Sequence, residues 1–182
     1  MSQAFNAQHL DLAALAQAGV TLQGQLPLGA LARLREEAGP AGLDQPVDWW
    51  AQGEQRLDAA GLPQVWLHLT AKVLLPLTCQ RCLTPADIAI AVQRSFRFVA
   101  NETQAEAEDE EAEEDVLVLS RDFDLVALLE DELLMGIPLV PRHDACPGDV
   151  RLTAQDPDFE AAQAAKPNPF AALATLRQPP KG

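Results

Sequence analysis

Hydrophobic and polar positions alternate most strictly between Gln64 and Thr78. There Val65, Leu67, Leu69, Ala71, Val73, Leu75 and Leu77 fall on one face at period two, as a half-buried strand requires. From Asp87 to Val99 a second run puts Ile88, Ile90, Val92, Phe96 and Phe98 on one face, with Arg94 the only interruption. Between the runs lies Cys79-Gln80-Arg81-Cys82-Leu83-Thr84-Pro85, which predicts a long antiparallel hairpin with two cysteines at its tight end. Upstream, Val47, Trp49 and Ala51 alternate with polar residues and predict a strand, extending as far as Leu57, with a tryptophan turned to the core. Val20 to Leu26 and Val116 to Leu119 read as shorter strands.

Helical spacing appears at Leu10 to Ala18 and from Pro27 through about Ala38, where Leu28, Leu31, Leu34 and Ala38 share a face and Gly39-Pro40 stops the run. Gly39 to Pro46 then reads as a loop. Asp124 is placed to cap a helix reaching about Met135, with Leu125, Leu128, Leu129 and Leu133 on one side and Glu130-Asp131-Glu132 largely on the other. Beyond about residue 142 the chain is polar and proline-spaced, apart from a short helical pattern at Pro169 to Leu176 capped by Asn168. The pattern predicts an α+β fold: an antiparallel β-rich core with a long hairpin, a few flanking helices and an irregular C-terminal tail, as one domain over residues 1–182.

At 182 residues and 48% hydrophobic the chain can bury one core. Its most apolar stretch, Val65 to Leu77, is broken by His68, Lys72 and Pro76 and is shorter than the roughly 20 residues of a membrane helix. Met1 to Leu10 has no basic region followed by an apolar one, and three cysteines make an odd set for a disulfide framework. Both point to the cytoplasm. The formal charge of -14 disfavours a sequence-independent grip on naked nucleic acid. Nine acids and no base lie between Glu102 and Asp115, so a mobile acidic loop is expected at about 101–115. The remaining body is only mildly acidic, and Arg33, Arg35, Arg81, Arg94 and Arg97 are its scattered candidates for a basic patch.

Chemistry concentrates in the C-x2-C of Cys79 and Cys82 and the H-x2-C of His143 and Cys146. Four ligands of this type suit a structural zinc, which would staple the hairpin to the segment after the last long helix. The competing reading is three reduced cysteines near a loop. Thiol redox chemistry is disfavoured, because a redox C-x2-C opens a helix and this one lies between strands. His68 reads as a solvent-facing strand residue and His9 as part of a frayed start, neither beside a nucleophile. No glycine-rich phosphate loop is present, and no carboxylate pair stands out for acid and base roles, so an enzyme is not expected.

Three separated blocks resemble the YceD family. They are Cys79-Gln80-Arg81-Cys82-Leu83; Asp124-Leu125-Val126 leading into Leu129-Glu130-Asp131-Glu132-Leu133-Leu134 and Ile137-Pro138-Leu139-Val140-Pro141-Arg142-His143; and Lys166-Pro167-Asn168-Pro169-Phe170-Ala171-Ala172-Leu173. The resemblance covers roughly residues 20 to 177. It implies a factor for synthesis, processing or accumulation of large-subunit (23S-type) ribosomal RNA and brings no catalytic residues. An acidic protein in that role is expected to meet ribosomal proteins or large-subunit assembly intermediates, with Glu130, Asp131, Glu132 and Arg81 as candidate contacts. Direct RNA contact through Arg81, Arg94 and Arg97 is the alternative.

Overall fold

The structure is a computed structural model that describes residues 5–38, 42–148, 158, 159 and 170. Its packing divides the chain into two units, Met1–Cys146 and Pro147–Gly182. The first holds every element named below. In chain order these are α1 (Leu12–Ala18), β1 (Thr21–Pro27), a 3-10 turn (Leu28–Ala30), α2 (Ala32–Ala38), β2 (Pro46–Leu57), β3 (Pro63–Thr78), β4 (Pro85–Val99), α3 (Glu102–Asp109), β5 (Asp115–Val118) and α4 (Leu125–Met135). The strands form one sheet in the order β1-β2-β3-β4-β5, antiparallel throughout except for the parallel β4–β5 pair. The α+β class and the long hairpin are as the alternation predicts.

One face of the sheet carries the core. Leu67, Leu69 and Leu75 of β3 and Phe96 of β4 are fully buried together with Leu12 and Leu15 of α1, Leu34 of α2, and Leu125, Leu129 and Leu133 of α4. Two glycines set how closely layers approach. A Cβ on Gly53 would lie 2.7 Å from the Leu15 carbonyl carbon, so the close crossing of α1 over β2 depends on the missing side chain. Gly24, paired across the ladder with Trp49, leaves room for the indole, since a Cβ would stand 2.7 Å from Trp49 Cζ2. Among the described residues the opposite face is covered only at one end, where α3 closes a small cluster of Val99, Ala105 and Val116.

Three features depart from the sequence pattern. The helix expected from Pro27 to Ala38 is broken at Leu31, which is extended (φ -94, ψ 101). The break lets the start of α2 meet Glu130 of α4: Oε1 accepts from the backbone N–H of Arg33 at 2.7 Å and of Leu34 at 3.1 Å. A carboxylate there satisfies helix-end donors that have no partner within the helix. Second, Glu130-Asp131-Glu132 is not an exposed acidic face. Glu130 and Glu132 are only 8% and 5% exposed, Asp131 pairs with Arg33, and Arg94 Nε lies 3.5 Å from Glu132, whose carboxyl is pushed up by burial.

The third departure is the acidic run at 101–115, which contains α3 where a loop was expected. Asn101 caps it, its side chain accepting from Gln104 N–H at 3.0 Å, and Arg97 reaches both Glu108 and Glu114. The counter-charge from β4 offsets the self-repulsion that composition alone suggests. The expected strand at Val116 to Leu119 is present as β5. The helix pattern at Pro169 to Leu176 lies outside the described residues, apart from Phe170.

Glu130→Ala removes the carboxylate at the start of α2 and is expected to cost about 1–2 kcal/mol of stability. Glu106→Ala, on the exposed side of α3, should stay within about 0.5 kcal/mol. Denaturant unfolding of both variants checks the pair; equal effects would contradict the capping role.

Candidate metal centre

The tip of the β3–β4 hairpin folds as a tight knuckle. Cys79 N–H donates to Thr84 O at 2.9 Å and Leu83 N–H to Cys79 O at 2.8 Å, which turns the chain within one C-x2-C. Leu83 takes a left-handed conformation (φ 60), a position usually given to glycine, so the turn is held against a backbone cost. The second half-site arrives from beyond α4, where Gln80 N–H donates to Pro141 O at 2.8 Å. The ligand atoms of Cys79, Cys82, His143 and Cys146 then lie within 4.8 Å of one another, with Cys79 Sγ 4.0 Å from Cys146 Sγ and Cys82 Sγ 3.4 Å from His143 Nδ1. This group of three cysteines and one histidine could hold a metal ion.

The surroundings suit metal ligands. His143 Nε2 stands 3.0 Å from Pro85 O, which calls for the N–H on Nε2 and leaves the Nδ1 lone pair facing the sulfurs. Cys79 is fully buried, and burial alone would raise its thiol. Backbone N–H groups of Cys82, His143 and Arg81 outweigh that and hold it down to about 5. The Thr84 hydroxyl and backbone N–H likewise lower Cys82. Cys146 is raised, since burial there exceeds the help it receives from Arg81. The thiols beside it, Cys79 first, raise His143.

Arg81 belongs to this centre. Its Nε donates to Cys146 Sγ at 3.0 Å and its Nη2 to His143 O at 3.1 Å, so one guanidinium ties the knuckle to the second half-site. Of the other arginines that could form a basic patch, three are also paired within the molecule, whereas Arg35, on α2, is exposed. Arg94 pairs with Asp115 and Glu132, Arg97 is 8% exposed between Glu108 and Glu114, and Arg33 is held by Glu130 and Asp131.

His68 differs from its sequence reading. Nδ1 lies 2.8 Å from Ser95 Oγ and Nε2 lies 2.8 Å from Glu54 Oε2. Glu54 is held down to about 2 by Arg56 and then by His68. A hydroxyl therefore does stand beside this histidine, brought there by the β3–β4 register that pairs His68 with Ser95. No sequence motif signals the pairing, because the partners are 27 residues apart. His9 pairs with Asp122 at 2.7 Å, both largely exposed.

Comparison with known proteins now gives this geometry a context. The family model described as "Large ribosomal RNA subunit accumulation protein YceD" matches residues 67–177, more than half of the chain. The chain belongs to the YceD family. It is 36% identical over 121 residues to the large ribosomal RNA subunit accumulation protein YceD of Haemophilus influenzae, covering 64% of this chain and 68% of the relative. No solved structure matches. The matched span contains all but the first four residues of the hairpin, both half-sites and α4. Among the described residues no helix is long and apolar enough to cross a membrane.

Because folding lowers the Cys79 thiol, its contribution to stability is complete above the unfolded thiol value of roughly 8.5 and is lost as pH falls through about 5. In metal-free protein the thiolate absorbance should retain a component that titrates near 5. Cys79→Ser should remove that component and flatten the acid side of the stability profile; an unchanged titration would contradict the N–H cradle.

Proposed function

We propose that this chain supports the accumulation of large-subunit ribosomal RNA in the cytoplasm without catalysing a reaction, by binding basic protein components or assembly intermediates of the large subunit. The observation that carries this reading is the use of the arginines. Arg33, Arg81, Arg94 and Arg97 each bond within the molecule, while Glu102, Glu106, Glu110, Glu111 and Glu113 face solvent. A surface of this sign attracts ribosomal proteins and repels bare RNA. Direct RNA contact through Arg81, Arg94 and Arg97 would require breaking the ion pairs and the knuckle bonds that hold them.

The same reading assigns Cys79, Cys82, His143 and Cys146 a structural zinc. A tetrahedral ion with bonds of about 2.3 Å to sulfur and 2.0 Å to nitrogen spaces its ligands by roughly 3.5–3.8 Å. Two of the six separations between ligand atoms, 4.0 Å and 3.4 Å, bracket that spacing, and all six lie within 4.8 Å. Three thiolates and one imidazole close the coordination sphere, which fits a staple and leaves no open position for chemistry. Arg81 would balance the excess negative charge of three thiolates on a divalent ion.

Protein purified without chelators is expected to carry one zinc per chain, and Cys82→Ser or His143→Ala to lose it together with several degrees of thermal stability. Capture from lysate should enrich large-subunit precursors with their basic proteins, and the proteins should remain after nuclease treatment. Retention of RNA alone, or of nothing beyond what an unrelated protein of equal acidity retains, would contradict the proposed role.

A further inference from the structure

The helices α1, α2 and α4 all pack on one face of the sheet, and α3 covers only the β4–β5 end of the other. No other described element covers the rest of that second face. It carries Trp50 at 39% and Leu74 at 49% exposure, exposed Lys72, and a half-buried Trp66 whose ring lies 4.5 Å beneath the Arg56 guanidinium. Two adjoining depressions border it. One of about 410 Å³ runs from Trp66 and Gln93 to Glu113 and Glu114, and one of about 510 Å³ continues past Glu113 to Glu111 and Ala107 on the α3 side. Aromatic floor and acidic wall thus form one continuous trough.

We propose that this open face and the trough beside α3 dock an extended protein segment rich in lysine and arginine. The proposal rests on the partner class named above and adds where such a partner binds. Charge complementarity selects the occupant. The cations bordering the trough are already matched, Arg56 by Glu54, Arg94 by Asp115 and Arg97 by Glu108 and Glu114, whereas Glu111 and Glu113, which line it, are exposed and carry no such partner, with Glu110 exposed beside them. A phosphate backbone laid along that wall would be repelled. A cationic side chain finds carboxylates along one side and exposed indole on the floor, where cation–π attraction adds to charge pairing. Leu74 and the shallow depression beside it, lined by Pro46, Ala89 and Ala91 and by the oppositely charged Asp48 and Lys72, accept the aliphatic stems of the same side chains.

The test is titration of the intact, zinc-loaded protein with a peptide of about twelve alternating lysine and arginine residues, long enough to cross the face when extended. A homo-uridine RNA of equal length runs in parallel, and tryptophan fluorescence and calorimetry give the readouts. The peptide should bind, perturb tryptophan emission and weaken as salt rises, while the RNA should not bind. The triple variant E110Q/E111Q/E113Q should lose about tenfold in affinity, and Trp50→Ala several-fold, with thermal stability unchanged. The triple variant E36Q/E37Q/D44N removes the same charge from exposed positions elsewhere and should lose far less. Equal losses in the two triple variants would reduce the effect to overall acidity, and preferential binding of the RNA would assign the face to nucleic acid; either result overturns the proposal. If the first triple variant still captured large-subunit proteins from lysate as wild type does, the surface would be wrong while the proposed function stood.

Discussion

The register of the β3–β4 hairpin is the constraint on which everything else depends. It runs without a break from Val65 opposite Phe98 to Thr78 opposite Pro85. With a side-chain period of two, a slip of one residue would move Leu67, Leu69 and Phe96 out of the core and turn Arg97 and Trp66 into it. The same register closes the knuckle at the tip, so the first two metal-ligand candidates are products of sheet pairing. It also brings Ser95 beside His68 and Arg97 beside Trp66 on the open face. Core, candidate metal centre and proposed docking face are three readings of one ladder.

Electrostatics divides the molecule in a second way. A chain with 13 basic and 27 acidic residues has cations in short supply, and the structure places several of them where they organise neighbouring elements. Arg33 and Glu130 join α2 to α4, Arg97 holds α3 and the approach to β5 against β4, and Arg81 locks the half-site that follows α4. A group of exposed acids, Glu106, Glu110, Glu111 and Glu113, lies on α3 and the turn after it. A zinc staple braced by Arg81 and attraction to basic partners are compatible, because these arginines are already paired within the molecule.

Alternation over Val65–Leu77 and Ile88–Phe98 made the hairpin legible, since half-buried strands write their face directly into residue type. The four candidate ligands were legible as residue types with the right local spacing, although the sequence could not show that half-sites some 60 residues apart would meet. What composition hid has a common cause: the deciding partner is distant or on another strand. Glu130 looked like a solvated helix acid because the helix end it caps is 97 residues away. The run after Asn101 looked like a repelling loop because its counter-charge comes from Arg97, on the preceding strand. Arg81 looked like a surface cation because the sulfur it binds is 65 residues on.

Zero-length carboxylate-to-amine cross-linking of the protein in complexes captured from lysate, read by mass spectrometry, tests the central claim most directly. The account predicts links from Glu106, Glu110, Glu111 or Glu113 to lysines of large-subunit ribosomal proteins. Links confined to acids on the helix-covered face, or adducts to RNA at the open face with none to protein, would contradict it.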